Sequence, residues 1–452
     1  MLSRFIHNVV RLICRYFFRM KIILLLIIIA PGNVISAITS TDINSIRDTI
    51  PNSIHYVPTR QITHGPQKHW FGYYDKLQMD PSGRFVLSMQ VDFEHRSPRS
   101  GDEISIGMID LQNDDEWTLL GTSKAWSWQQ GCMLQFIPGS KHEIIWNDRQ
   151  NGKFVSHILN IKTGEKRTLP FAIYTLSPNG ETAMSVDFER INDLRRGYGY
   201  AGIPDPNVDQ IAPANAGIYK CNLKDGRREL VISMADMMKV ELPDSDDPAF
   251  TEDYFMKHHW FNHLLFNTDG SRFIFLHRWK SSGKGDVGGF GTLMYTANPD
   301  GSDLRLVDPS GFTSHFIWRD PTHILAWSHH ASNGHAFYLY EDQSYAEPEG
   351  VGIDVMEKNG HCTYLPGGKY ILNDTYPDKE TRMQTVYLYD MIKNKKIDLG
   401  KFYLASEYKG EWRADTHPRF SPDGHKIIID CPVADSGRQL VLMDIKELTQ
   451  LN

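Results

Sequence analysis

A short pattern recurs along the chain: an apolar strand, a tight turn, then a second apolar strand. It reads MDPSGRFVLSM at 79–89, FIPGSKHEIIW at 136–146, LSPNGETAMSV at 176–186 and FNTDGSRFIFL at 266–276. It returns as WRDPTHILAW at 318–327, LPGGKYILN at 365–373 and FSPDGHKIIID at 420–430. The Asp-Gly, Asn-Gly and Gly-Gly pairs supply the positive φ that such turns require. A second hairpin follows each unit, as in SHILNIKTGEKRTLP and LMYTANPDGSDLRLV. Seven first hairpins and seven second hairpins interleave in order. Four strands repeated seven times predict an all-β chain folded as a seven-bladed β-propeller. The blades are expected at about 69–121, 127–169, 171–232, 259–307, 312–352, 358–400 and 410–449. The last is short of an outer strand. The strand-like stretch 54–62 is expected to complete it and close the ring, so that 38–452 form one domain.

Residues 1–37 break the pattern. Arg4, Arg11, Arg15, Arg19 and Lys21 precede the apolar run Ile22–Ala30, and Pro31-Gly32 ends it ahead of small residues. This is the layout of a secretory signal peptide, and Met20–Ala37 is a complete one on its own. It predicts a secreted or periplasmic protein. The run is shorter than the roughly 20 residues that a membrane span needs, so no stable membrane insertion is expected.

Composition changes the picture little. With 41% hydrophobic and 23% charged residues the chain is ordinary globular material. A formal charge of -7 gives no reason to expect a nucleic-acid partner. Four cysteines follow the signal, scattered, with no CxxC zinc pattern. There is no GxSxG elbow and no P-loop. Any chemistry must therefore come from the propeller face, and no organic cofactor is expected.

Aligning the first hairpins exposes a further regularity. At the position five before the turn proline, blades four to seven carry His263, His315, His361 and His417, whereas blades one to three carry Lys76, Met133 and Ile173. The first strand of a propeller blade lines the channel, so one register position recurs at one height. Four imidazoles are expected to converge there on a divalent metal such as zinc, manganese or calcium. Alternation points Cys362 away from the channel. Other polar groups cluster near the strand starts: His69 to Lys76 in blade one, Gln129 and Gln130 in blade two, and Glu411, Arg413 and Asp415 ahead of His417.

These residues resemble those of secreted polysaccharide lyases built on seven-bladed propellers, the oligogalacturonate lyases and the propeller-type ulvan lyases. The likeness is sharpest in YTLSPNGETAMSVDFER, which sets Tyr174 and Arg190 one strand pair apart. The resemblance implies β-elimination on an anionic polysaccharide or oligosaccharide of ulvan-like or pectin-like kind. Arg190 would neutralise the uronate carboxylate, and Tyr174 and His69 would move protons. It also implies a metal held by channel histidines. Gln130, Asn147, Arg149, Arg196, Tyr198, Arg278 and Arg413 are the candidate sugar-binding groups. The chain departs from the ulvan enzymes in lacking their pair of early-blade histidines, since His69 stands alone there. Two other functions fit the same architecture. One is a non-catalytic propeller resembling TolB, which binds glycan or protein. The other is a glycoside hydrolase, which needs two carboxylates facing across a sugar.

Overall fold

The computed structural model describes residue 50 and residues 52–243, 254–280 and 289–450. The expected signal peptide and the acidic run at 244–247 lie outside the described residues. Among those described, the strands form seven antiparallel sheets. Six are built from consecutive strands: 68–123, 135–169, 175–233, 258–308, 316–351 and 363–403. The repeat pattern therefore translates directly into blades. Alternation gives each sheet two apolar faces, and neighbouring blades bury them against one another, as in the core cluster that holds Phe273 and Phe275 of the fourth blade together with Ile218 and Cys221 of the third.

The seventh blade, 419–444, supplies three strands of its own. Thr59–Gln61 adds the fourth by pairing antiparallel with Arg438–Asp444. The ring is thus closed by the N-terminal stretch, as its pattern predicts. Ser53–His55 does something else. It pairs with Lys395–Tyr403 as a fifth, outermost strand of the sixth blade. The closing segment therefore spans two blades rather than one, and it shields the outer edge of the sixth blade.

Blade three carries the largest departure from the repeat. After Thr182–Ser185 the chain turns into helix α1, Phe188–Leu194, which buries Phe188, Arg190, Ile191 and Leu194. The run FERINDL has helical apolar spacing, and the fold uses it. Gly199 permits the close return of the chain: a Cβ there would meet Asn192 N at 2.1 Å and Phe188 O at 2.4 Å. Tyr200 then stacks on Phe188 at 4.2 Å.

Two carboxylates at the start of α1 are tuned by this packing. Burial raises Asp187 to about 6, against the pull of Arg228, and raises Glu189 to about 7, with Asp187 adding to the effect. The folded state therefore binds these protons more tightly than the unfolded chain, where a glutamate titrates near 4.3. Their contribution to stability is complete below that value and is lost as pH rises through about 6 and 7. Glu189→Gln is expected to raise the Tm at pH 8 and to leave it unchanged near pH 4. Melting curves across that range check the sign, and an equal Tm at pH 8 would remove the argument.

Candidate active site on the propeller axis

Three of the four register histidines meet ring to ring, and His263 stands beside them. The His361 ring lies 4.1 Å from His315 and 4.2 Å from His417, centroid to centroid. His263 joins through Tyr73, which stacks on it at 5.2 Å and reaches His417 at 5.2 Å. Tyr74 lies 5.4 Å from His361 and 6.1 Å from His315. Backbone geometry aims two of the rings. His263 and His417 have φ of 55° and 40°, and pairing is interrupted between Asn262 and Leu265. Such bulges turn a side chain out of the regular pleat. Burial holds the imidazoles of His263, His315 and His417 well below the usual range, and neighbouring cations and imidazoles add to this. They are neutral, with lone pairs to offer.

Not all four are equally available. His315 Nδ1 lies 2.9 Å from Asn359 Oδ1 and its Nε2 3.4 Å from the Tyr376 hydroxyl. His263 Nδ1 lies 3.4 Å from Gln130 Nε2. By contrast, His361 Nε2, His417 Nε2 and Asp415 Oδ1 are buried with no hydrogen-bond partner among the described residues. Orphaned buried acceptors are rare and call for an explanation. Ligand atoms of these three residues lie within 4.8 Å of one another. Behind them, His361 Nδ1 sits 2.9 and 3.0 Å from the two oxygens of Asp374, which also accepts the Thr416 hydroxyl at 2.5 Å. Burial would raise Asp374, but His361 and Thr416 hold it below the usual carboxylate range. A carboxylate behind the far nitrogen fixes the tautomer and orients Nε2 as a ligand. The residues present thus fit a metal ion.

Asp415 is the candidate ligand that histidine counting misses. The sequence holds its signal: Asp415 stands two residues before His417, the same-face spacing of an extended strand. Asp374 carries no such signal, since it comes from the neighbouring strand 13 residues after His361.

Beside the histidines lies a phenol between guanidinium groups. Tyr198 packs edge-on against His263 at 5.4 Å. Its hydroxyl accepts from Arg413 Nη2 at 3.1 Å, and the Arg195 guanidinium lies 5.0 Å from its ring. Burial alone would raise the phenol, but Arg413 and Arg195 outweigh it and hold Tyr198 below the ordinary tyrosine range. Arg413 is itself fixed by Asp415, Nε to Oδ2 at 2.6 Å. Arg278 and Arg195 flank Phe290, at 4.7 and 4.8 Å from its ring. Burial, followed by the charge of Arg195, pushes Arg278 down to about 10. Arg413 side chain is the most open of the group, at 17% exposure.

The other expected site residues fall differently. Tyr174 does turn toward the cluster, but its hydroxyl is fully engaged. It donates to Gln130 Oε1 at 2.9 Å and accepts from the His263 backbone N–H at 2.8 Å. Burial raises its pKa, and no neighbouring cation reverses this. Tyr174 and Gln130 therefore position His263. Arg190, expected at the uronate, is a buried clamp. Its guanidinium makes five bonds, to His259 O, Asp205 Oδ2, Asn207 O, Gln210 O and Ile211 O, at 2.6–3.0 Å. No donor is left for a substrate. The sequence spacing places Arg190 beside Tyr174 only if the strand continues, and α1 redirects it.

His69 is likewise committed, with Nδ1 3.0 Å from Gln439 Oε1 and Nε2 3.0 Å from Gln90 Nε2. Its ring meets Trp117 edge-on at 6.1 Å. Asn147 is wholly buried and bonds Ile173, Ser156 and Tyr200. Arg149 donates to Ala201 O and Ser100 O and pins that loop. Arg196 is exposed. Of the expected sugar-binding groups, Gln130, Tyr198, Arg278 and Arg413 are the ones grouped around His263.

The chain matches no protein-family model, and no curated protein matches its sequence. Its fold has clear counterparts among solved structures. An oligogalacturonate lyase in complex with manganese aligns at a TM-score of 0.60 and 13% identity, covering 87% of this chain and 94% of that one. The oligogalacturonate lyase of Vibrio parahaemolyticus aligns at 0.60 and 12%, covering 88% and 97%. At that identity the likeness is one of fold: this chain is a seven-bladed propeller similar to theirs over nearly its whole described length.

Proposed function

We propose that the protein is a polysaccharide lyase that cleaves uronic-acid glycans of pectin-like kind by β-elimination, exported to the periplasm or beyond. The carrying observation is the Tyr198 phenol, held between Arg413 and Arg195 against the axial cluster of imidazoles. Elimination needs the sugar carboxylate neutralised, the C5 proton removed and the departing O4 protonated. Arg413 and Arg278 supply charge for the first step, and a guanidinium fork suits a carboxylate. Tyr198, acting as the phenolate that Arg413 and Arg195 favour, takes the C5 proton as the C4–O4 bond breaks and the C4–C5 double bond forms. It then returns a proton to O4. The phenol needs no large change of position for this, because the Arg413 donor already holds its oxygen.

His361, His417 and Asp415 would hold a divalent cation, which adds positive charge near the substrate carboxylate. A set of two imidazoles and one carboxylate suits manganese or zinc better than calcium, which takes six to eight oxygens.

The test is direct. Purified protein is incubated with oligogalacturonate, ulvan and glycosaminoglycans, and unsaturated products are followed by ultraviolet absorbance. Activity on oligogalacturonate that falls after chelation and in His361→Ala is expected. New reducing ends without unsaturation would instead mark a hydrolase, and neither signal would mark a binding propeller.

A further inference from the structure

A second group of histidines lies on blade five, outside the axial cluster. The hairpin formed by His323–His330 and Gly334–Glu341 carries four, of which His329, His330 and His335 lie toward its tip. His329 and His335 are directly opposed across the two strands. Opposed residues share one face of a hairpin, with Cβ atoms about 4.5–5.5 Å apart. Their rings accordingly meet at 4.8 Å, with planes inclined at 66°. His329 is half-buried and His335 exposed, so both edges reach solvent. No side-chain hydrogen bond occupies either ring among the described residues.

Alternation sends His330 to the opposite face, where Nε2 pairs with Glu347 Oε2 at 2.7 Å and Nδ1 lies 2.9 Å from Ser332 Oγ. His330 is therefore spoken for, and the other two are not. Phe312 backs the opposed pair, 5.4 Å from His329 and 5.0 Å from His335. It restricts both rings on one side and leaves the other to solvent. The hairpin tip lies at the same end of the blade as the axial His315, since Ser314 N donates to Trp327 O at 3.0 Å just before the tip.

We propose that His329 and His335 form a second, surface site for a borderline transition-metal ion: copper(II), nickel or zinc. Two imidazoles on a rigid hairpin lose little freedom on binding one ion. Solvent fills the remaining positions. A pair of imidazole nitrogens disfavours calcium and magnesium, which prefer oxygen. The site is independent of the lyase reading.

Nickel titration of chelator-stripped protein, followed by calorimetry, tests it. Native protein is expected to show two classes of nickel site, one of them axial. His335→Gln and His329→Gln should each weaken the second class at least tenfold, while His330→Gln leaves it intact. These positions sit at a solvent-facing hairpin tip, so the Tm of each variant should match native. The copper(II) form should show nitrogen hyperfine coupling that His335→Gln reduces. Identical isotherms for native protein and His335→Gln would overturn the proposal, and so would loss of the site in His330→Gln alone.

Discussion

Tyr198→Phe is expected to lower turnover of a uronate glycan by about 10³-fold, the range that positioned proton transfer supplies. The ring contacts with His263 and Arg195 survive the change, and only the hydroxyl held by Arg413 is lost. KM should therefore move far less than kcat, and the Tm should stay within a few degrees of native. Tyr174→Phe provides the contrast. It removes two hydrogen bonds behind His263, which costs about 1–3 kcal/mol of stability. Its effect on turnover should be indirect and smaller. Single-turnover rates of the two variants on one substrate separate the assignments. Full activity in Tyr198→Phe, with Tyr174→Phe dead but folded, would return the proton-transfer role to the residue that the repeat pattern singles out.

Arg190→Ala should act on the fold instead. The side chain is 1% exposed and closes the loop 205–211 onto α1 and onto His259 through five hydrogen bonds. Its removal strands the Asp205 carboxylate, buried at 3% side-chain exposure. Breaking a buried pair from one side costs about 3–5 kcal/mol. For a domain of this size that is about 4–6 °C in Tm. Arg190→Lys should recover little, because one ammonium cannot reach five acceptors arranged for a planar fork. Thermal unfolding decides the matter. A native Tm combined with lost activity would make Arg190 a substrate residue after all.

Both predictions turn on the same short stretch. From Phe171 to Tyr200 the chain reads as one more repeat with a basic tail, and the eye pairs Tyr174 with Arg190 across it. Helix α1 undoes that pairing. It carries Arg190 into the interior and delivers Arg195 and Tyr198, a few residues later, to His263. Nothing in the local pattern favours Arg195 over Arg190. The difference lies in which guanidinium finds backbone carbonyls waiting in a distant loop.

What the sequence alone determined about this protein is whatever repeats. Strand alternation and turn chemistry are local, and they recur seven times, so blade number and order are legible. The register of His263, His315, His361 and His417 is legible for the same reason, because equal offsets in equal blades reach equal heights on the axis. Even closure by Thr59–Gln61 follows from counting strands. The tertiary structure decided everything that rests on contacts between blades. It left His361 and His417 with open nitrogens while giving His315 and His263 other partners. It added Asp415 as their companion and Asp374 behind them. It set one buried tyrosine between two cations and engaged another with a backbone amide. A side chain's chemistry depends on which donors, acceptors and charges surround it, and in a closed ring those come from segments hundreds of residues apart.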